Sequence, residues 1–225
     1  MKLILLGPPG AGKGTQAKSL SERLKVSHIS TGDLLRDNVK RDTGLGKSAR
    51  AYMERGDLVP DELVNRMLVE HLNSFGPQDG FILDGYPRNL AQAKSLDTIL
   101  KAKGMDIDYV VYLDTSEAVI IQRLSGRRVC SACNINYHIK NMRPKRDMVC
   151  DKCGRPLQQR VDDREETIKN RLVVYLKEVA SLIDYYEQRK KLVRISADDD
   201  ALVVLNKIIE LAGSKVPAGS SARRK

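Results

Sequence analysis

The chain has 225 residues, 41% of them hydrophobic, which supports a real core in one domain with sizeable insertions and excludes a disordered chain. A formal charge of +10 fits a nucleic-acid partner or a protein that holds several phosphates, so the placement of its cations must decide between them. No apolar run approaches the roughly 18 residues of a membrane span, and the first is too short for a secretory signal core, so the expectation is a soluble cytoplasmic protein with no membrane partner.

Leu3-Ile4-Leu5-Leu6 predicts a first strand, and Gly7-Pro8-Pro9-Gly10-Ala11-Gly12-Lys13-Gly14-Thr15 follows it directly. Glycines here let the backbone wrap phosphate oxygens, so that N–H groups and a helix N-terminus face negative charge while Lys13 brings a cation to the terminal phosphates. Gly10, Ala11, Gly12, Lys13, Gly14 and Thr15 are therefore candidate nucleoside triphosphate ligands. The general pattern places Ser or Thr directly after the lysine as a Mg²⁺ ligand. Gly14 stands there, which points to contact with the metal through water.

A short strand is expected near Ser27 to Ile29, ending at Ser30, whose pairing with Asp33 resembles a capping box for a helix over Thr31 to Arg41. Residues 30–60 read as a helical insertion punctuated by Gly44, Gly46 and Gly56, with Pro60 and Asp61 opening the next helix. Phe81 to Leu83, Tyr109 to Leu113 and Leu192 to Ile195 are further strands, and Leu90-Ala93-Leu96-Ile99-Leu100 has helical spacing. This alternation implies an α/β fold: a parallel sheet of the P-loop type with helices on both faces. The expected division is a core over 1–29, 61–126 and 164–214, insertions at 30–60 and 127–163, and a disordered basic tail at 215–225.

The second insertion is polar and holds every cysteine, in the pattern Cys130-x2-Cys133-x16-Cys150-x2-Cys153. This spacing matches two zinc knuckles converging on one tetrahedral site; two disulfides are the alternative, disfavoured in a reducing compartment. Four thiolates leave no open position on the metal, so the zinc is structural. Arg127, Arg128, Arg143, Lys145 and Arg146 leave a nucleic-acid-binding zinc ribbon as a competing reading. Tyr137 is the single aromatic between Cys133 and Cys150, which gives little for bases to stack on. Beyond the insertion, Glu165 to Arg189 reads as a long helix.

Arg36, Arg88, Arg123, Arg127, Arg160 and Arg171 recur near the ends of core elements and the bases of both insertions, as two phosphate-bearing substrates require. Arg88 closes Asp84-Gly85-Tyr86-Pro87-Arg88, just past a strand, where open α/β sheets bind ligands. Asp84 there is a candidate to hold Mg²⁺ through water. No histidine stands out as a base: His28, His71 and His138 read as structural or surface residues.

On these motifs the chain resembles adenylate kinases of the long-lid type with a zinc-binding lid, from Met1 to about residue 212. The stretches that carry the likeness are Gly7 to Thr15, Ser30 to Arg36, Asp84 to Arg88, Gly126-Arg127-Arg128, and Arg160-Val161-Asp162-Asp163 through Arg171. The resemblance implies that the first insertion binds the nucleoside monophosphate AMP, the second closes over ATP with its Mg²⁺, and the reaction is ATP + AMP = 2 ADP. It implies Lys13, Arg88, Arg123, Arg160 and Arg171 as catalytic, and Arg123, Arg127, Asn136, Tyr137 and Asp199 as joining the glycine loop on ATP. Thr31, Arg36, Asp57, Leu58, Val59, Gly85, Tyr86, Pro87, Arg88, Gln92, Arg160 and Arg171 would surround AMP, and Asp162 and Asp163 would serve the lid hinge. A carboxamide at Gln92 can accept from and donate to the adenine edge at once.

Two alternatives stay open on the residues alone: a phosphate-loop kinase for UMP or CMP, whose pattern Asn89 resembles, and a zinc-ribbon nucleic-acid-binding ATPase. Asn134, where this lid type often has glycine, and Ser196 to Asp199, where the family usually turns at a glycine, depart from the pattern. No heptad repeat is visible, and a monomer without a nucleic-acid partner is expected.

Overall fold

A computed structural model describes residues 1–213; the basic tail expected over 215–225 lies outside them. Five strands form one parallel sheet in the order β2 (Ser27–Ser30), β3 (Phe81–Asp84), β1 (Lys2–Leu6), β4 (Tyr109–Asp114), β8 (Leu192–Ser196). Side chains alternate across each strand, so both faces must be apolar to be buried by helices. Ile4, Leu6, Ile29, Leu83 and Val110 pack on one face against α4 (Asp61–Leu72), α5 (Leu90–Ala102) and the C-terminal half of α7 (Glu165–Gln188). Leu3, Leu5, Ile82, Val111, Leu113 and Ile195 pack on the other against α1 (Lys13–Leu24) and α8 (Ala201–Gly213).

Two insertions leave this core. The first holds α2 (Thr31–Lys40) and α3 (Gly44–Arg55). The Ser30 side chain accepts from Asp33 N–H at 3.3 Å to cap α2, and Thr43 accepts from Gly46 N–H at 3.0 Å to cap α3. Leu35, Ala49 and Val59 from this insertion belong to the same buried cluster as Ile4 and Leu83, so it is an outgrowth of the main core.

The second insertion follows α6 (Glu117–Ser125) and is a small antiparallel sheet, β5 (Arg127–Cys130) between β6 (Asn136–His138) and β7 (Leu157–Gln158). Its buried cluster is separate and consists of Cys130, Tyr137, Cys150 and Leu157. A single 3-10 turn at Val161–Asp163 returns the chain to α7. The insertions meet where Lys40 Nζ donates to Ser131 O at 3.0 Å. Among the described residues no helix is long and apolar enough to cross a membrane.

Candidate active site

The glycine loop joins the carboxyl end of β1 to α1, with Gly12 at φ +88°, a left-handed conformation that suits glycine, as the residue before the helix. Lys13 Nζ donates to Gly7 O at 2.7 Å and Pro8 O at 2.9 Å, which draws the lysine over the loop. Burial lowers its pKa to about 7; Asp84 opposes this, while Arg88, Arg171 and Arg127 add to it. The lysine therefore lies in the field of arginines from the turn after β3, from α7 and from the second insertion.

The structure explains Gly14. A Cβ there would stand 3.2 Å from Asp84 Oδ2, so the carboxylate at the end of β3 occupies the space that a Ser or Thr side chain would need. Asp84 is buried, with His28 Nε2 at 3.4 Å from Oδ2. Burial alone would raise its pKa, but the neighbouring His28 and the charges of Lys13 and Arg36 outweigh this and hold the carboxyl below its usual range. An ionised carboxylate at the N-terminus of α1, beside an exposed Thr15, suits a hydrated cation.

Beside it, the first insertion walls a cavity that opens to solvent. Thr31, Arg36, Asp57, Leu58, Val59, Gly85, Arg88, Gln92 and Arg171 line it together with Leu35, Met53, Val64 and Asp162. Thr31 Oγ1 donates to Gly85 O at 2.8 Å, tying α2 to the turn after β3. Gln92 is fully buried: its Oε1 accepts from Arg88 N–H at 2.8 Å, and its Nε2 donates to Asp61 Oδ1 at 2.7 Å. A carboxamide has two acceptor lone pairs and two N–H donors, so one of each is left for a ligand. The Asp57 carboxylate is turned to Arg55 and Asn170, which leaves its backbone to the cavity.

Tyr86 is a core residue whose hydroxyl donates to Asn65 Oδ1 and lies 3.1 Å from Gln92 O, and Pro87 is buried beside it; neither lines the cavity. Asn89 caps α5, accepting from Gln92 N–H at 2.8 Å and donating to Asp61, which accounts for it without reference to the base of a substrate. Asp61 holds both amides in place. Its role is invisible in sequence because it depends on a contact 31 residues away.

Arg36, Arg127 and Arg171 are linked through Asp162 and Asp163. Arg171 Nη1 donates to Asp162 Oδ2 at 2.9 Å, and Arg127 makes a two-pronged pair with the fully buried Asp163. Arg171, Arg36, Arg127 and Arg160 together depress the Asp162 pKa, although burial pushes the other way. Arg160 Nη2 donates to Asn136 Oδ1 at 2.9 Å, and its buried Nε has no partner among the described residues. Burial, with Arg36 and Arg127 nearby, lowers the Arg160 pKa to about 9, still charged at neutral pH. Arg123 approaches Asp199 O at 3.4 Å, while the Asp199 carboxylate turns to Lys207; this position offers its backbone.

In the second insertion the four sulfur atoms lie within 4.8 Å of one another and none is in a disulfide, an arrangement that favours a metal site over two disulfides. Tetrahedral Zn–S bonds of about 2.3 Å would place sulfurs roughly 3.8 Å apart, so the set fits such an ion. Asn134 adopts φ +53°, a conformation that asparagine tolerates, in the place where glycine was expected. The Tyr137 ring is buried among these thiols.

A family model described as adenylate kinase matches residues 5–191. An adenylate kinase of Caldicellulosiruptor bescii is 46% identical over 95% of this chain and 99% of its own length, and one of Thermoanaerobacter sp. (strain X514) is 46% identical over 96% and 99%. A third relative, the adenylate kinase of Methanocella arvoryzae, is 46% identical over 89% of this chain and 93% of its own. Likeness of this extent, on a chain whose glycine loop and arginines share one cleft, settles the question of kinship: the chain belongs to the adenylate kinase family.

Proposed function

We propose that the chain catalyses reversible transfer of the terminal phosphoryl group between ATP and AMP, giving two ADP. One observation carries the reading. Arg88 and Arg171, which line the cavity of the first insertion, also act on Lys13 of the glycine loop, so the two nucleotide sites converge on one cationic point.

AMP sits in the cavity with its base against Thr31 and the spare donor and acceptor of Gln92, and its phosphate against Arg36, Arg88 and Arg171. ATP lies on the loop from Gly10 to Thr15, with Lys13, Arg123 and Arg127 at its phosphates and the backbone near Asp199 at its base. An oxygen of the AMP phosphate attacks the terminal phosphorus, the bond from that phosphorus to the bridging oxygen of the ATP β-phosphate breaks, and ADP leaves. A monophosphate with a second pKa of about 6 is already ionised at pH 7, so no side chain need remove a proton. The arginines and Lys13 neutralise charge that spreads over the transferred oxygens. Asp84 would hold the Mg²⁺ that comes with ATP through water, and the ion would supply further neutralisation of phosphate charge.

The lid keeps water from competing for the phosphoryl group, and the turn that bears Asp162 and Asp163 is its hinge. Cys130, Cys133, Cys150 and Cys153 hold a structural Zn²⁺. Four free cysteines suit a reducing compartment, and we place the enzyme in the cytoplasm, as a monomer. With Asn89 accounted for as a helix cap, nothing in the site favours UMP or CMP. A coupled assay of ATP with AMP, UMP, CMP and GMP tests the reading: AMP is expected to be turned over far faster than the others. Equal rates on all four would remove the adenine assignment, and no ADP from AMP would remove the activity.

A further inference from the structure

Strand β6 has three residues, and its middle one faces away from its neighbours' partners. Asn136 reaches Arg160, and His138 Nε2 lies 3.1 Å from Gln122 O on α6. Tyr137, between them, is buried with Cys130, Cys150 and Leu157. Its hydroxyl oxygen accepts the N–H of Asp151 at 2.9 Å and lies 3.6 Å from Cys150 Sγ. A phenol has one hydrogen to give, and the amide of Asp151 can only donate, so that hydrogen is left for the sulfur.

A ring that merely filled a small core would need no such placement, and phenylalanine would serve. Four thiolates around one Zn²⁺ carry a net charge of −2 in a cage with two buried sulfurs, and each hydrogen bond to a thiolate spreads that charge. Cys130 receives a backbone N–H from Cys133 at 3.5 Å. Among side chains, Tyr137 plays that part for Cys150.

We propose that Tyr137 is a positioning residue of the metal cage, an outer-shell donor to the Cys150 thiolate that also ties the cage, through β6, to Asn136 and Arg160. The inference rests on the zinc reading above.

The test uses the full chain, with zinc content measured first. Tyr137→Phe keeps the ring and removes the donor. Zinc affinity is expected to fall by about tenfold or more, release to a chromogenic chelator to quicken, and the thiolate-to-metal charge-transfer band of the Co²⁺-loaded protein to move. Site-specific 3-fluorotyrosine at 137, a stronger donor, should retain zinc at least as well as the parent and move the band in the opposite direction. It also decides the matter if the phenylalanine variant does not fold. Unchanged zinc retention and an unchanged Co²⁺ spectrum would overturn the role of Tyr137 and leave the zinc cage standing. A parent chain that neither contains zinc nor takes it up would overturn the cage and the inference with it.

Discussion

The two insertions sit on the same sheet and face the same cleft, yet they are held by different physics. The first sends Leu35, Ala49 and Val59 into the main core and caps both its helices with side chains, so its stability is that of the whole domain. The second has a cluster of its own, built from two buried cysteines, a tyrosine and a leucine. Below a certain apolar content a small unit cannot offset its conformational entropy by burial, and a metal is one of the few remedies. The comparison teaches that one region is stabilised by neighbours and the other, on the zinc reading, by an ion, and it makes unequal demands on each.

The largest effect should come from the ion. Structural Zn²⁺ contributes about 10–16 kcal/mol in isolated zinc-finger peptides. Chelation, or Cys150→Ser, is expected to melt the second insertion and cut turnover by about a hundredfold or more, since Arg127 and Arg160 lose their positions. The sheet should still unfold in a separate, later transition. An unchanged melting profile after the metal has demonstrably been stripped would break the comparison. Leu35→Ala in the first insertion should behave otherwise: a cavity in the shared core costs about 2–5 kcal/mol, or roughly 5–15 °C for a chain of this size, in one transition that includes everything. A separate low-temperature step would mean that the first insertion is independent after all.

The sheet and the glycine loop were legible because each is written locally. Strands β1, β3, β4 and β8 follow apolar runs to within a residue or so, and the Ser30–Asp33 cap is where its spacing places it. What escaped was direction. Tyr86 and Tyr137 lie inside recognisable motifs, yet their rings point into cores, because alternation along a short strand or turn is set by its pairing partner and not by its own residues. Gly14 and Asp61 were opaque for a related reason. Gly14 answers to Asp84, and Asp61 serves Gln92, across separations that no local pattern records.

A smaller effect separates the two nucleotide sites by their protons. Lys13, with a pKa of about 7, is about nine-tenths neutral at pH 8, and a polyphosphate placed against it should raise that pKa and charge it. ATP binding at pH 8 is thus expected to take up nearly one proton, seen by calorimetry in buffers of different ionisation enthalpy. AMP, held by arginines that stay charged, should take up far less. Equal uptake by both nucleotides would show that the sites are not distinct in this respect.

The smallest effect lies inside the metal-held region. Each knuckle closes on a left-handed residue whose N–H donates at 2.9 Å to the carbonyl of the first cysteine of its pair: Asn134 to Cys130 and Gly154 to Cys150. Asn134→Gly relieves a strain that is modest for asparagine but loosens the unfolded chain by about 0.5–1 kcal/mol, so the two nearly cancel. Gly154→Ala puts alanine at φ +72°, a strain that a stiffer unfolded chain offsets only in part, and should weaken the lid by about 1 kcal/mol, read as faster zinc loss. Asp42, at φ +53° between α2 and α3, is the equivalent residue of the first insertion. Asp42→Gly, also near neutral, should register in global melting alone. If Gly154→Ala lowered global melting and left zinc retention untouched, the knuckles would be part of the shared core, and the contrast between the two insertions would be one of composition rather than of stability.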